Sequence, residues 1–146
     1  MRLVVQRVTR AEVKVDGKTT GKINNGFLVL LGIHESDTKK EADYLVKKLC
    51  GLRVFEDENG KMNLDIKTIG GELLIVSQFT LYGDCSGGFR PSFIEAARPE
   101  KAEPLYEYFC DECQKNGINV QKGIFGAEMK VDLLNDGPVT IIIESK

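Results

Sequence analysis

Hydrophobic residues fall into short strand-like runs along most of the chain and switch to helical spacing in two places. Leu3–Val8 and Ala11–Val15 read as strands. Asp16-Gly17 is a hairpin signal, since tight hairpin turns need residues that tolerate positive φ, and Lys18–Ile23 is the expected return strand. Asn25-Gly26 marks the next turn, and the unbroken apolar run Phe27–Ile33 predicts a buried strand. Ala42, Leu45, Val46, Leu49 and Cys50 then recur at helical spacing, with Ser36 or Asp37 as the expected cap and Gly51 as the stop.

The segment from Leu52 to Leu64 suggests a short strand and an Asn59-Gly60 turn. Gly71 to Leu81 reads as a central strand, followed by the glycine-rich loop "GDCSGGFRPSF". A second helix is expected to begin near Pro99 or Pro104, because proline is best tolerated in a first turn. Ala102, Leu105, Tyr106, Phe109 and Cys113 line its apolar face, and Gly117 ends it. Three strands are expected to close the chain: Asn119–Phe125, Met129–Leu134 and Val139–Glu144. Tight turns make antiparallel pairs, while the helices allow crossovers. The expected fold is mixed α/β, with packed, largely antiparallel β-sheets and an outer layer of two helices. It forms a single domain over residues 1–146.

Composition narrows the function classes. The chain of 146 residues is 42% hydrophobic, enough for one domain with a real core. No apolar stretch reaches the length of a membrane span. The N-terminal "MRLVVQRVTRAEV" lacks an apolar core and a small-residue cleavage site, so it reads as a strand and not a signal peptide. The four cysteines suggest a reduced, cytoplasmic protein. Cys50 and the Cys110/Cys113 pair fall on helical patterns, where buried packing is the expected role over redox or metal work. His34 is the only histidine, which excludes a histidine-rich metal site and disfavours a Ser-His-Asp triad. It reads as a loop residue before a helix. No metal or cofactor is expected. The net charge of −2 disfavours broad, salt-driven nucleic-acid coating but leaves room for a local basic patch. Arg2, Arg7, Arg10, Lys14, Lys18 and Lys22 bias the first strands positive, which a solvated sheet face also explains.

Two stretches carry candidate chemistry. The apolar run Leu73–Val76 breaks into Ser77-Gln78-Phe79-Thr80 before Leu81 resumes it. On a continuing strand, Gln78, Thr80 and Tyr82 would share one face, with Ser77, Phe79 and Leu81 on the other. That polar face reads either as a pocket floor or as side chains bonding neighbouring backbone at a sheet edge. The second stretch is "LLNDGPVTIII", in which Asn135-Asp136-Gly137 reads as a turn and Pro138 as a strand start. A Gly-Pro bond can also be cis, as about 5–6% of X–Pro bonds are.

Taken together, "MRLVVQRVTRAEV", "GKMNL" (Gly60–Leu64), "SQFTL" (Ser77–Leu81), "RPSF" (Arg90–Phe93) and "NDGPVT" (Asn135–Thr140) follow the order and spacing of the D-aminoacyl-tRNA deacylases, the D-tyrosyl-tRNA deacylase family. The resemblance runs end to end, and SQFTL with NDGPVT is its most specific part. It implies hydrolysis of the ester joining a D-amino acid to the terminal ribose of tRNA. It also implies a homodimer with two active sites at the interface, where SQFTL of one subunit meets the Gly-Pro motif of the other. Gly137-Pro138 would be cis, Arg7 would help hold that motif, and Met129 would line the pocket. The family's pocket recognises the 3′-terminal adenosine, so affinity need not come from a basic surface. Cys85 matches no family role.

On this resemblance Phe79, Thr80 and Gln78 are the candidate catalytic residues, and Ser77, Met129, Gly137, Pro138 and Arg7 the substrate-binding ones. The N–H groups of Phe79 and Thr80 would address the carbonyl oxyanion. Thr80 as nucleophile lacks a histidine to activate it. Activation of water by the neighbouring ribose 2′-OH is the favoured alternative. Two other functions fit the residues: a non-catalytic domain binding D-amino acids or adenosine nucleotides, and a conventional esterase using Ser77 or Thr80.

Overall fold

The long strand β1 (Arg2–Val15) is the spine of the fold. The computed structural model describes residues 1–145. β1 has three partners, so two must share one edge: β2 (Lys18–Ile23) pairs with its second half and β3 (Gly26–Gly32) with its first half, both antiparallel. The other edge is taken by β8 (Lys130–Glu144), also antiparallel. The Asp16-Gly17 turn forms as expected, with φ of 50° and 78°.

Helix α1 (Lys39–Cys50) and a small ribbon of β4 (Phe55–Glu56) and β5 (Met62–Leu64) connect β3 to β6 (Glu72–Ser77), which lies parallel to it. Helix α2 (Pro99–Lys115) connects β6 to the parallel β7 (Asn119–Lys122). β3 and β6 are buried on both faces, which accounts for their unbroken apolar runs. One core lies between this sheet and the helices and includes Leu3, Val29, Leu45, Leu73 and Phe109. The other holds Val8, Val13, Ile23, Leu28 and Leu74 on the opposite face. There the sheet coils over itself: a Cβ at Gly21 of β2 would lie 2.7 Å from the Lys122 carbonyl oxygen and 2.8 Å from Leu74. The expected packing of sheet on sheet is thus achieved within one coiled sheet.

Several boundaries differ from the sequence expectation. The two N-terminal segments are one strand, which shifts register at Val13/Lys14 against β2 and near Val8 against β8. The last two expected strands are likewise one, and β7 stops at Lys122 instead of reaching Phe125. Thr38 caps α1, not Ser36 or Asp37. It forms a capping box with Glu41, and the bonds from Thr38 hold the Glu41 carboxyl below its ordinary range. The Asp37 side chain is occupied elsewhere, accepting from the His34 N–H at 2.6 Å and from the Met1 ammonium at 2.8 Å. Pro104 falls in the second turn of α2, on its exposed side, where the carbonyl left without a helical donor can turn to water.

Candidate active site

The polar break after Val76 does not continue the strand. β6 ends at Ser77, and Phe79–Tyr82 forms a 3-10 turn, so the expected alternation of faces fails there. The cause lies next door in β3. Its last residue is Gly32, and the turn packs into the space left by the missing side chain. A Cβ on Gly32 would sit 3.0 Å from Leu81 Cβ and 3.2 Å from the Gln78 carbonyl oxygen. The chain enters the turn through the Gln78 N–H, which donates to the Leu31 carbonyl at 2.8 Å.

A cleft of about 520 Å³ opens where the parallel strands β3 and β6 end. Crevices at such carboxyl ends are a recurrent place for ligands. Ser77, Gln78 and Phe79 form one wall, Met129 another, and Phe93 and Phe125 add aromatic surface. Met129 is held over Gly123, where any Cβ would collide with its sulfur. Phe79 and Phe93 meet edge to face, 5.2 Å between centroids, and both remain exposed at the rim.

Phe79 and Thr80 occupy the first two positions of the turn, so their N–H groups have no partner within it. No other backbone or side-chain acceptor among the described residues takes them. The Thr80 hydroxyl receives a hydrogen bond from the Gln78 amide, and among the described residues no histidine or carboxylate bonds to it. His34 does not line the cleft; its Nδ1 accepts from the Ser36 N–H at 3.1 Å, and its ring packs against Tyr82. Burial pushes the Tyr82 phenol up to about 12, with Asp37 adding to the effect, so it stays protonated at neutral pH. The arrangement offers fixed N–H donors beside an apolar cleft whose lining, among the described residues, contains no histidine or carboxylate to take a proton.

A family model described as D-Tyr-tRNA(Tyr) deacylase matches residues 4–144. The D-aminoacyl-tRNA deacylase of Desulfatibacillum aliphaticivorans is 61% identical, with all of both chains aligned. That of Thermosipho africanus is 57% identical over all of this chain and 98% of its own. The chain belongs to the D-Tyr-tRNA(Tyr) deacylase family. A solved structure of a c-Myc DNA Unwinding Element Binding Protein superposes with a TM-score of 0.94 at 45% identity, over 100% of this chain and 99% of that one. A probable eukaryotic D-amino acid tRNA deacylase, 17% identical, shares the fold with a TM-score of 0.86 over 98% of each chain.

In this deacylase-family chain the sequence candidates separate into two groups. Ser77, Gln78, Phe79 and Met129 line the cleft, and Thr80 adjoins it. Arg7, Gly137 and Pro138 do not line it. They form a second cluster where β8 pairs with β1. Between the pairs Gln6–Thr140 and Val8–Asn135, residues 136–139 bulge out opposite Arg7. Asn135-Asp136-Gly137 is thus a bulge within one strand, not a turn between two. Gly137-Pro138 is cis, as the resemblance implied, and both residues are exposed. The Asn135 side chain spans the neck: its Oδ1 accepts from the Val139 N–H at 3.2 Å and its Nδ2 donates to Thr140 Oγ1 at 2.9 Å. Buried Arg7 holds the bulge from below, donating from Nη1 to the Val54 carbonyl at 2.7 Å and from Nε to the Asp136 carbonyl at 3.1 Å.

Sequence reasoning missed several cleft residues. Phe93 was visible only inside the RPSF motif, and Phe125 only as a strand end. Ala96 and Ala97, small residues that keep the cleft open, gave no signal. The cysteines fall as expected: Cys50, Cys110 and Cys113 are buried in helical packing, where burial pushes the Cys110 thiol up to about 12. Cys85 is exposed in a loop closed by paired backbone bonds between Asp84 and Ser92, at 2.8 and 2.9 Å. No helix is long and apolar enough to cross a membrane among the described residues.

Proposed function

We propose that this chain hydrolyses the ester of D-aminoacyl-tRNA, releasing the free D-amino acid and tRNA. The observation that carries the reading is the pair of unpartnered N–H groups, Phe79 and Thr80, beside an apolar cleft in a chain of this family. Attack of water on the ester carbonyl puts negative charge on its oxygen. Fixed N–H donors stabilise that oxyanion without exchanging a proton, each typically worth about 10²–10³ in rate. The tetrahedral intermediate then collapses, and the ester oxygen leaves as a ribose hydroxyl. The aminoacyl ester is already activated, so this help suffices.

The proton on the attacking water needs an acceptor. The cleft has no histidine, and the Thr80 hydroxyl is bonded to Gln78. The ribose 2′-OH of the substrate, adjacent to the ester, fills that role as a relay: its oxygen takes the proton from water as its own proton passes to the departing ribose oxygen, and Thr80 is not a nucleophile. The exposed rings of Phe79 and Phe93 give the terminal adenosine a surface to stack on, so an acidic protein can engage tRNA through its end.

Selection for the D-configuration works by exclusion. Gly137-Pro138 of one subunit reaches the cleft of a second in a homodimer, and its backbone carbonyls close the direction an L side chain would take. Such a wall ignores side-chain identity, so several D-amino acids and glycine pass. The cytoplasm, as the site of translation, is the expected location, and removal of D-amino acids from tRNA is a quality-control step.

The reading is tested by following ester loss and release of free D-tyrosine from D-tyrosyl-tRNA. Release above the spontaneous rate is expected; none would remove the reading. A D-aminoacyl-tRNA ending in 2′-deoxyadenosine should bind and react far more slowly. Equal rates on the two would return proton transfer to the protein.

A further inference from the structure

We propose that Arg2 is a positioning residue for this site: its guanidinium fixes the 3-10 turn that aims the Phe79 and Thr80 N–H groups. The inference rests on the deacylase reading above. Arg2 stands in β1 directly opposite Gly32 of β3 on one side and Glu144 of β8 on the other. Directly opposed residues project to the same face of a sheet, so Glu144, Arg2 and Gly32 form a row. Gly32 leaves its place in that row without a side chain, and the turn occupies it.

Arg2 then closes over the turn from the adjacent place. Its Nη1 donates to the Leu81 carbonyl at 2.6 Å, and its Nε donates to Glu144 Oε1 at 2.6 Å. The guanidinium carbon lies 4.7 Å from the centre of the Tyr82 ring. Tyr82 in turn meets His34 edge to face at 5.3 Å. One planar group therefore grips carbonyl, carboxylate and ring at once, which the fixed geometry of guanidinium allows and an ammonium does not.

The other ties of the turn are local. Leu81 N–H donates to Gln78 at 3.2 Å, and Gly83 N–H to Thr80 at 2.9 Å. Among the described residues, the Arg2 bond is the one hydrogen bond from the sheet into Phe79–Tyr82. The Arg2 side chain is 33% exposed, so its removal should leave the core intact. What is lost is the aim of the turn.

The experiment compares wild type, Arg2→Ala, Arg2→Lys and, as a control on the same strand, Arg10→Ala. Two quantities are read: steady-state cleavage of D-tyrosyl-tRNA, and amide hydrogen exchange across residues 77–83. Arg2→Ala should lower kcat about 10- to 100-fold with KM changed less than about twofold, since misplacement of a reacting group by an ångström costs rate and not affinity. Exchange at Leu81 and Gly83, whose N–H groups are bonded within the turn, should quicken. Arg2→Lys should fall between in both, and Arg10→Ala should match wild type. An active wild type with unchanged kcat in Arg2→Ala, or with unchanged exchange, overturns the proposal. If Arg2→Ala does not fold, Arg2→Lys decides, and wild-type behaviour in both readouts overturns it. If wild type itself cleaves nothing, the deacylase reading fails, while the exchange result still decides whether Arg2 holds the turn.

Discussion

Arg7 of β1 and Asp136 of β8 are joined twice: Arg7 Nε lies 3.1 Å from the Asp136 carbonyl oxygen and 3.6 Å from its carboxylate. The guanidinium is buried, and the aspartate side chain is half exposed. A Cβ on Gly137 would stand 3.0 Å from Arg7 Nη2, so the bulge and the arginine are fitted to each other. This contact connects a core position in the first strand to an exposed motif in the last.

Arg7→Ala should therefore cost both stability and activity. It leaves the buried Val54 carbonyl and the Asp136 carbonyl without their donor, at about 1–3 kcal/mol for each buried group left unsatisfied. Discrimination against L-tyrosyl-tRNA should weaken more than D-cleavage, because the wall loosens while the cleft survives. Thermal unfolding and the two cleavage rates check this; an unchanged D/L ratio in the folded variant would separate Arg7 from selectivity.

The sequence made the strands and both helices legible, since periods of two and 3.6 are direct consequences of packing a face. Leu73–Ile75 and the α2 stripe are buried as expected. What it could not convey were events decided by a neighbouring strand. The turn at Phe79 follows from Gly32, far away in the chain, and the bulge at Asp136 follows from β1 supplying one residue where β8 supplies several. Local pattern therefore reads as a straight strand in the first case and as a turn between two strands in the second. The site residues were legible only through resemblance to a family, because polar residues at a strand end look the same whether they floor a pocket or cap an edge.

The protein should be a homodimer. Gly137 and Pro138 are exposed and line no part of the cleft in their own chain, so the part proposed for them in selection requires a second copy. Sedimentation at micromolar concentration should give about twice the chain mass of 16.2 kDa. A fully active monomer would contradict the shared site.

Thr80→Val should retain deacylase activity within about tenfold of wild type, since the change keeps the backbone N–H to which the proposed mechanism assigns the oxyanion. It removes the hydroxyl that the Gln78 amide contacts, so a modest loss from local loosening is expected. Activity at the spontaneous rate in a folded variant, or an acyl group trapped on Thr80, would instead make the hydroxyl a nucleophile.

On the deacylase reading, fixed backbone donors cleave the ester while a second backbone element, Gly137-Pro138, excludes one configuration. Single-turnover rates on D-tyrosyl-, L-tyrosyl- and glycyl-tRNA at matched concentrations test it most directly. Rapid loss of the D-ester, measurable loss of the glycyl ester, and no loss of the L-ester above the spontaneous rate are expected. Efficient L-cleavage, or refusal of the glycyl ester alongside D-cleavage, would contradict selection by exclusion.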